Sequence, residues 1–248
     1  MTDDLKRILD AVAAGSITPE EAQVILAKPT TTEVPEVARI MVRGSAVKLT
    51  ITADPDVTTA DVTGPHRTEQ HGDELLITSD LTDDGGPPQP QRSSFMRLLD
   101  AGTRAGSTLT VRVNPFLPLD VLAIAGSLEI TGMRAPVTVG VEAGSAKLGP
   151  GSGPLQLSVS SASADVDWLF VGDSTVSVDL GSARINVLTG SDVTITTESA
   201  AGSASLLTAN GTPAPTSATG GQSAIAGPGT GTLTASARLG SVAVRVIA

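Results

Sequence analysis

AGSLEITG (125–132), AGSAKLGP (143–150), SASADVDW (161–168) and LGSARINVLTG (180–190) are four versions of one phrase, spaced 18 to 19 residues apart. Each is a small residue, a Gly-Ser or its near equivalent, and then a short run in which apolar and polar residues alternate. Alternation puts successive side chains on opposite faces of a strand, so Ala183, Ile185 and Val187 face one way and Ser182, Arg184 and Asn186 the other. The phrase also occurs as GSAVKLTIT from Gly44, AGSASLLTANG from Ala201 and LGSVAVRV from Leu239. Self-similarity at a period of about 20 residues is the mark of a repeat architecture.

Between the phrases lies a second set of alternating aliphatics: Val137, Val139, Val141; Leu155, Leu157, Val159; Val176, Val178, Leu180; Val193, Ile195. The expectation is a mainly-β chain, a single-stranded β-solenoid (β-helix) with about 18–21 residues per coil, spanning residues 37–248. Glycine marks the corners, where close backbone approach excludes a side chain. A β-sandwich is the alternative reading, since regular short strands fit it as well. The last strand, with Val242, Val244 and Val246, reads as an end coil without a polar cap, an end either short enough to tolerate exposure or paired with something.

Composition supports a narrow core. The chain has 248 residues but one Trp, three Phe and no Tyr, so aliphatic side chains and Ala must fill the interior. Disorder does not account for the Gly, Ser, Thr and Pro content, because the aliphatic alternation is regular and mean hydropathy is +0.17. A net charge of −10 argues against nucleic acid as partner. The absence of cysteine excludes a disulfide framework and a thiolate metal site. No basic segment followed by an apolar stretch opens the chain, and no apolar run reaches the length of a membrane span. The expected location is cytoplasmic, with membrane association through a peripheral segment.

Residues 1–28 read as an α-helical hairpin ahead of a Pro/Thr-rich linker at 29–36. Leu5, Ile8, Leu9 and Val12 share a helical face, and Gly15 stands where a helix-ending glycine would. Thr18, Pro19 and Glu21 then form the start of a second helix, with Ile25 and Leu26 on its apolar side. A hairpin this short cannot bury those residues by itself. They are candidate contact residues for self-association or for docking on another protein.

Two stretches interrupt the repeat. Residues 82–108 combine a Gly/Pro/Gln loop with two turns of amphipathic helix at 94–101. That helix makes Phe95, Met96, Leu98 and Leu99 candidate contacts for a partner or a membrane surface. Residues 210–230 read as a flexible loop.

Catalytic patterns are not found. His66 and His71 sit in a polar turn-rich stretch, and exposed loop histidines are commoner than ligands there. Asp165 and Asp167 share an outward strand face and could serve a minimal carbohydrate-active β-helix. Trp168 falls on the inward set, so it offers no sugar platform. No serine lies in a nucleophile elbow and no glycine loop suits a phosphate. The expectation is a non-enzymatic protein without cofactor or metal. An adhesive or polymer-forming β-solenoid is the second reading.

The segment ILDAVAAGSITPEEAQVIL (8–26) resembles the helical hairpin that opens bacterial envelope-stress proteins of the Lia type. From Val37 to Ala248, with phrases such as LTVRVNPFLPLDVLAIAGSLEITG (109–132), the chain is similar to the "putative adhesin" β-solenoid domain that follows it. The resemblance implies a bacterial interaction scaffold in cell-envelope stress sensing or regulation, with no catalytic residues to carry over.

Overall fold

The chain divides into two units, Met1–Glu36 and Val37–Ala248. In the computed structural model, the described residues are 37–79, 107–216 and 221–247, all in the second unit. The expected hairpin at 1–28, the linker and the helix at 94–101 lie outside the described residues.

The described elements are all strands: β1 (Arg39–Ala53), β2 (Ala60–Thr63), β3 (His66–His71), β4 (Glu74–Ser79), β5 (Thr108–Val113), β6 (Leu119–Thr131), β7 (Val137–Ser152) and β8 (Leu155–Leu169). These are followed by β9 (Ser174–Val178), β10 (Ser182–Val187), β11 (Val193–Ser199), β12 (Ser203–Leu207), β13 (Gln222–Ala226), β14 (Gly231–Ala237) and β15 (Ser241–Val246).

The long strands β1, β6, β7 and β8 form the centre, pairing in parallel in that order. A parallel pair normally needs a long crossover. Here only Gly153 and Pro154 separate β7 from β8, because each long strand bends midway and brings its end back beside its start. The bend falls on the Gly-Ser phrase. Ala46 and Ala125 have φ of 55° and 58° there, and Gly144 has φ of 110°. A Cβ on Gly144 would run into the carbonyl oxygen of Gly126 on the neighbouring strand, and one on Gly181 into that of Ala162. The corner is therefore closed to most side chains.

Beyond the centre the sheet forks. The first half of β8 pairs with β9 (Leu157↔Val176), and its second half with β10 (Ala164↔Ala183). One arm continues from β9 through β14 and β11 to β13, the other from β10 through β15 to β12. At the opposite flank β1 pairs with β4 by its first half and with β5 by its second. Three pairs are antiparallel: β2 with β5, β3 with β4 and β11 with β13.

This corrects the expected fold class. All fifteen strands belong to one mixed sheet that does not close, neither a stack of uniform coils nor a two-sheet sandwich. The spacing of 18 or 19 residues relates neighbours only between Leu119 and Val187, as in Leu119↔Val137, Val137↔Leu155 and Ser163↔Ser182. Elsewhere Ile40 pairs with Leu119 and Ser182 with Ser241, so partners are distant in sequence.

Inward residues of both limbs of the bent strands meet in one core. Val137, Val139, Val141, Leu148, Leu155, Leu157, Val159, Ile185, Val187, Val193 and Ile195 are all buried in it, on the alternation expected. Trp168 and Phe170 are fully buried, and the Trp168 indole N–H donates to the Gly153 carbonyl at 2.8 Å. Three expectations fail. Leu180 is 60% exposed, because Leu180 N–H donates to the Ser160 carbonyl at 2.7 Å where the chain is already turning. The 210–230 stretch is not loop throughout, since Gln222–Ala226 forms β13. The last strand is not an end coil: β15 lies between β10 and β12, paired with both.

Candidate interaction surfaces

None of the ten apolar contact residues expected from sequence, Leu5, Ile8, Leu9, Val12, Ile25, Leu26, Phe95, Met96, Leu98 and Leu99, is among the described residues. The surface that can be built from the described residues lies on the outward faces of the two arms.

On the first arm, lateral register places outward residues in straight rows. Ser158 of β8 stands beside Ser177 of β9, then Ser236 of β14 and Glu198 of β11. The row one position before the bend holds Ser160, Asp179, Arg238 and Ala200. Together these rows line a groove of about 570 Å³ running across the four strands. Arg238 Nη1 lies 3.6 Å from Asp179 Oδ1, with both side chains exposed to solvent. Leu180 and Leu239 follow Asp179 and Arg238 at the corner. Both are about 60% exposed, and the Leu239 N–H donates to the Asp179 carbonyl, which puts them side by side at the corner, next in sequence to two lining residues but outside the lining itself. The groove thus has hydroxyl walls, one carboxylate unpaired among the described residues in Glu198, and one ion pair, with two exposed leucines at the corner beyond it.

A different pair of rows crosses the second halves of the central strands and continues onto the second arm. The serine of the recurring phrase stacks from strand to strand: Ser203, Ser241, Ser182, Ser163, Ser145 and Ser127 are in register. Two residues further along are Arg184, Asp165, Lys147 and Glu129, on β10, β8, β7 and β6. Arg184 Nη1 lies 3.2 Å from Asp165 Oδ1. Asp167, outward as expected, accepts from Asn186 Nδ2 at 2.7 Å.

Other polar groups tie loops to strands. Arg112 on β5 holds both Asp54 and Asp61, and its hydrogen bond keeps the Asp54 carboxyl below its ordinary value of 3.8. Asp192 accepts from the hydroxyl and the backbone N–H of Thr230, at 2.6 and 2.8 Å, which holds its carboxyl low in the same way. His66 and His71 sit at the two ends of β3 and, five residues apart in a strand, point to opposite faces. Among the described residues no three His, Cys, Asp or Glu are grouped to hold a metal ion.

Sequence reasoning missed both surfaces. It identified outward serines and charges strand by strand, but the rows exist only once lateral partners are known.

No family model and no curated protein matches the chain. Among solved structures it is similar to a "putative cell adhesion protein" from Clostridium sporogenes ATCC 15579, at 8% identity and a TM-score of 0.41, over 85% of this chain and 93% of that one. That printed name echoes the adhesin part of the sequence resemblance, and the Lia-type part has no counterpart in it. A likeness at that level says nothing about what this chain binds.

Proposed function

We propose that the protein is a non-enzymatic interaction scaffold whose first-arm groove takes an extended segment of another polypeptide. The groove carries this reading. It runs across four hydrogen-bonded strands, so its walls are fixed by the sheet and need no ordering on binding. Hydroxyls at about 4.8 Å intervals suit a chain of amides and polar side chains. Glu198 favours a basic residue, and Leu180 with Leu239 favour an apolar one beside it. No aromatic residue lines the groove, which disfavours a sugar polymer as occupant.

A role in envelope-stress sensing is a finer proposal. It rests on the resemblance at residues 8–26 and needs a partner of that kind.

The test is selection of displayed peptides against the full chain, with a groove-filled variant, Ser177→Trp with Ser236→Trp, as counter-selection. The reading expects peptides that bind the native protein and lose at least about tenfold on the variant, a difference of about 1.4 kcal/mol. Peptides that bind both proteins alike would refute it.

A further inference from the structure

The charged row that crosses β10 and the second halves of β8, β7 and β6 reads positive, negative, positive, negative: Arg184, Asp165, Lys147, Glu129, in lateral register on adjacent strands. Turned end for end, such a row becomes its own complement. If two copies face each other across a two-fold axis through the midpoint between Asp165 and Lys147, Asp165 meets Lys147 of the other copy and Arg184 meets its Glu129. Each of the four charges then lies opposite its opposite. A two-fold contact requires this kind of self-complementary patch.

Two observations show that the row is not used up within the chain. Arg184 and Asp165 form an ion pair, yet their side chains remain 72% and 64% exposed. Lys147 and Glu129 make no ion pair with any described residue. Asp167 and Asn186 stand beside the row, and a shallow hollow of about 220 Å³ opens next to Lys147 and Glu129. Around them the serine row runs along one side, Thr50 stands beside Glu129, Ala243 beside Arg184, and Lys48, in register with Ser127, lines the same hollow.

We propose that this face is a self-recognition surface and that its partner is a second copy of the chain, docked by charge alternation. This goes beyond the groove reading and does not depend on it. Three rung spacings of about 4.8 Å give a row of roughly 14 Å. A patch of that size falls below the standard 800 Å² per partner, so the dimer is weak and sensitive to salt.

The experiment measures mass by light scattering over a concentration series of the full chain, at two ionic strengths. At about 0.01 M, charges act over roughly 30 Å, and at about 1 M over roughly 3 Å. The native chain is expected to approach a dimer mass at the low value and to revert to monomer at the high one. Lys147→Glu alone and Asp165→Lys alone each place like charges at the centre of the contact, and each stays monomeric. Mixed with each other, the two variants restore every opposition and regain the dimer mass.

The second variant separates this mechanism from general repulsion. Asp165→Lys moves the net charge of −10 toward zero, which by itself would favour association. The inference is overturned if the native chain stays monomeric at low ionic strength, if either single variant dimerises as the native chain does, or if the mixture remains monomeric. Circular dichroism of each variant confirms that the sheet is intact.

Discussion

Replacing Gly144 by Ala tests the corner at the smallest scale. The φ of 110° is one that L-residues rarely adopt, and the new methyl group would meet the Gly126 carbonyl of the next strand. The expected loss exceeds about 1 kcal/mol, well beyond an exposed Gly→Ala change elsewhere, and appears as a lower denaturation midpoint. Trp168→Ala acts from the other side: it empties the largest fully buried side chain and strips the Gly153 carbonyl of its donor, for a loss of about 3–5 kcal/mol. An unchanged midpoint in either variant would contradict the packing described. Both positions are legible in sequence. The Gly-Ser phrase marks the corner wherever it recurs, and alternation puts Trp168 inside. Leu180 is not legible, because alternation says nothing about the residue at which it stops. The chain turns at Leu180, and the side chain that continues the pattern is left in water.

Among elements, the loop after β1 is held by Arg112, which bonds both Asp54 and Asp61 from β5. Asp54 titrates below 3.8 in the folded chain, so the folded state binds fewer protons than the unfolded one as pH falls through that region. The stabilising contribution is complete above the unfolded value and is lost as pH drops through the folded one. Asp54→Asn should lower the denaturation midpoint at neutral pH and flatten its decline as pH falls below the ordinary aspartate value. A variant whose acid limb runs parallel to that of the native chain would remove Asp54 from the account. The ion pair is exposed, so the effect is small. Element boundaries in the centre are also legible, since β6, β7, β8 and β10 follow the 18- or 19-residue spacing. The partners of β1 and β11, and the pairing of β9 with β14, are not. Strands of Val, Thr, Ser and Ala fit one another almost equally well on either side, and only the assembled core selects among them.

For the whole molecule, the decisive strand is β15. It lies between β10 and β12, contributes Val242 and Val244 to the core, keeps β10 from being an edge and is the one strand with which β12 pairs. Deleting Ser241–Val246 exposes two strand edges together with part of the core. The truncated chain should melt at lower temperature and scatter light increasingly with concentration, as unpaired edges find each other. A deletion variant that stays monomeric with an unaltered melting point would show that β15 is dispensable. From sequence this strand reads as an end coil, because alternation reveals position in the chain but not position in the sheet.

The interleaving of late strands among early ones has a temporal side. Strand β14 sits between β9 and β11, and β15 between β10 and β12, although both are made after the strands they separate. As the chain leaves the ribosome, the centre from β6 to β8 can consolidate as it emerges, neighbour on neighbour. The two arms cannot. They must keep a gap one strand wide, or close wrongly and reopen, until residues 231–246 have been translated. The nascent protein therefore passes through a stage with its middle finished and one flank unsealed, and it is there that a holding chaperone would find it.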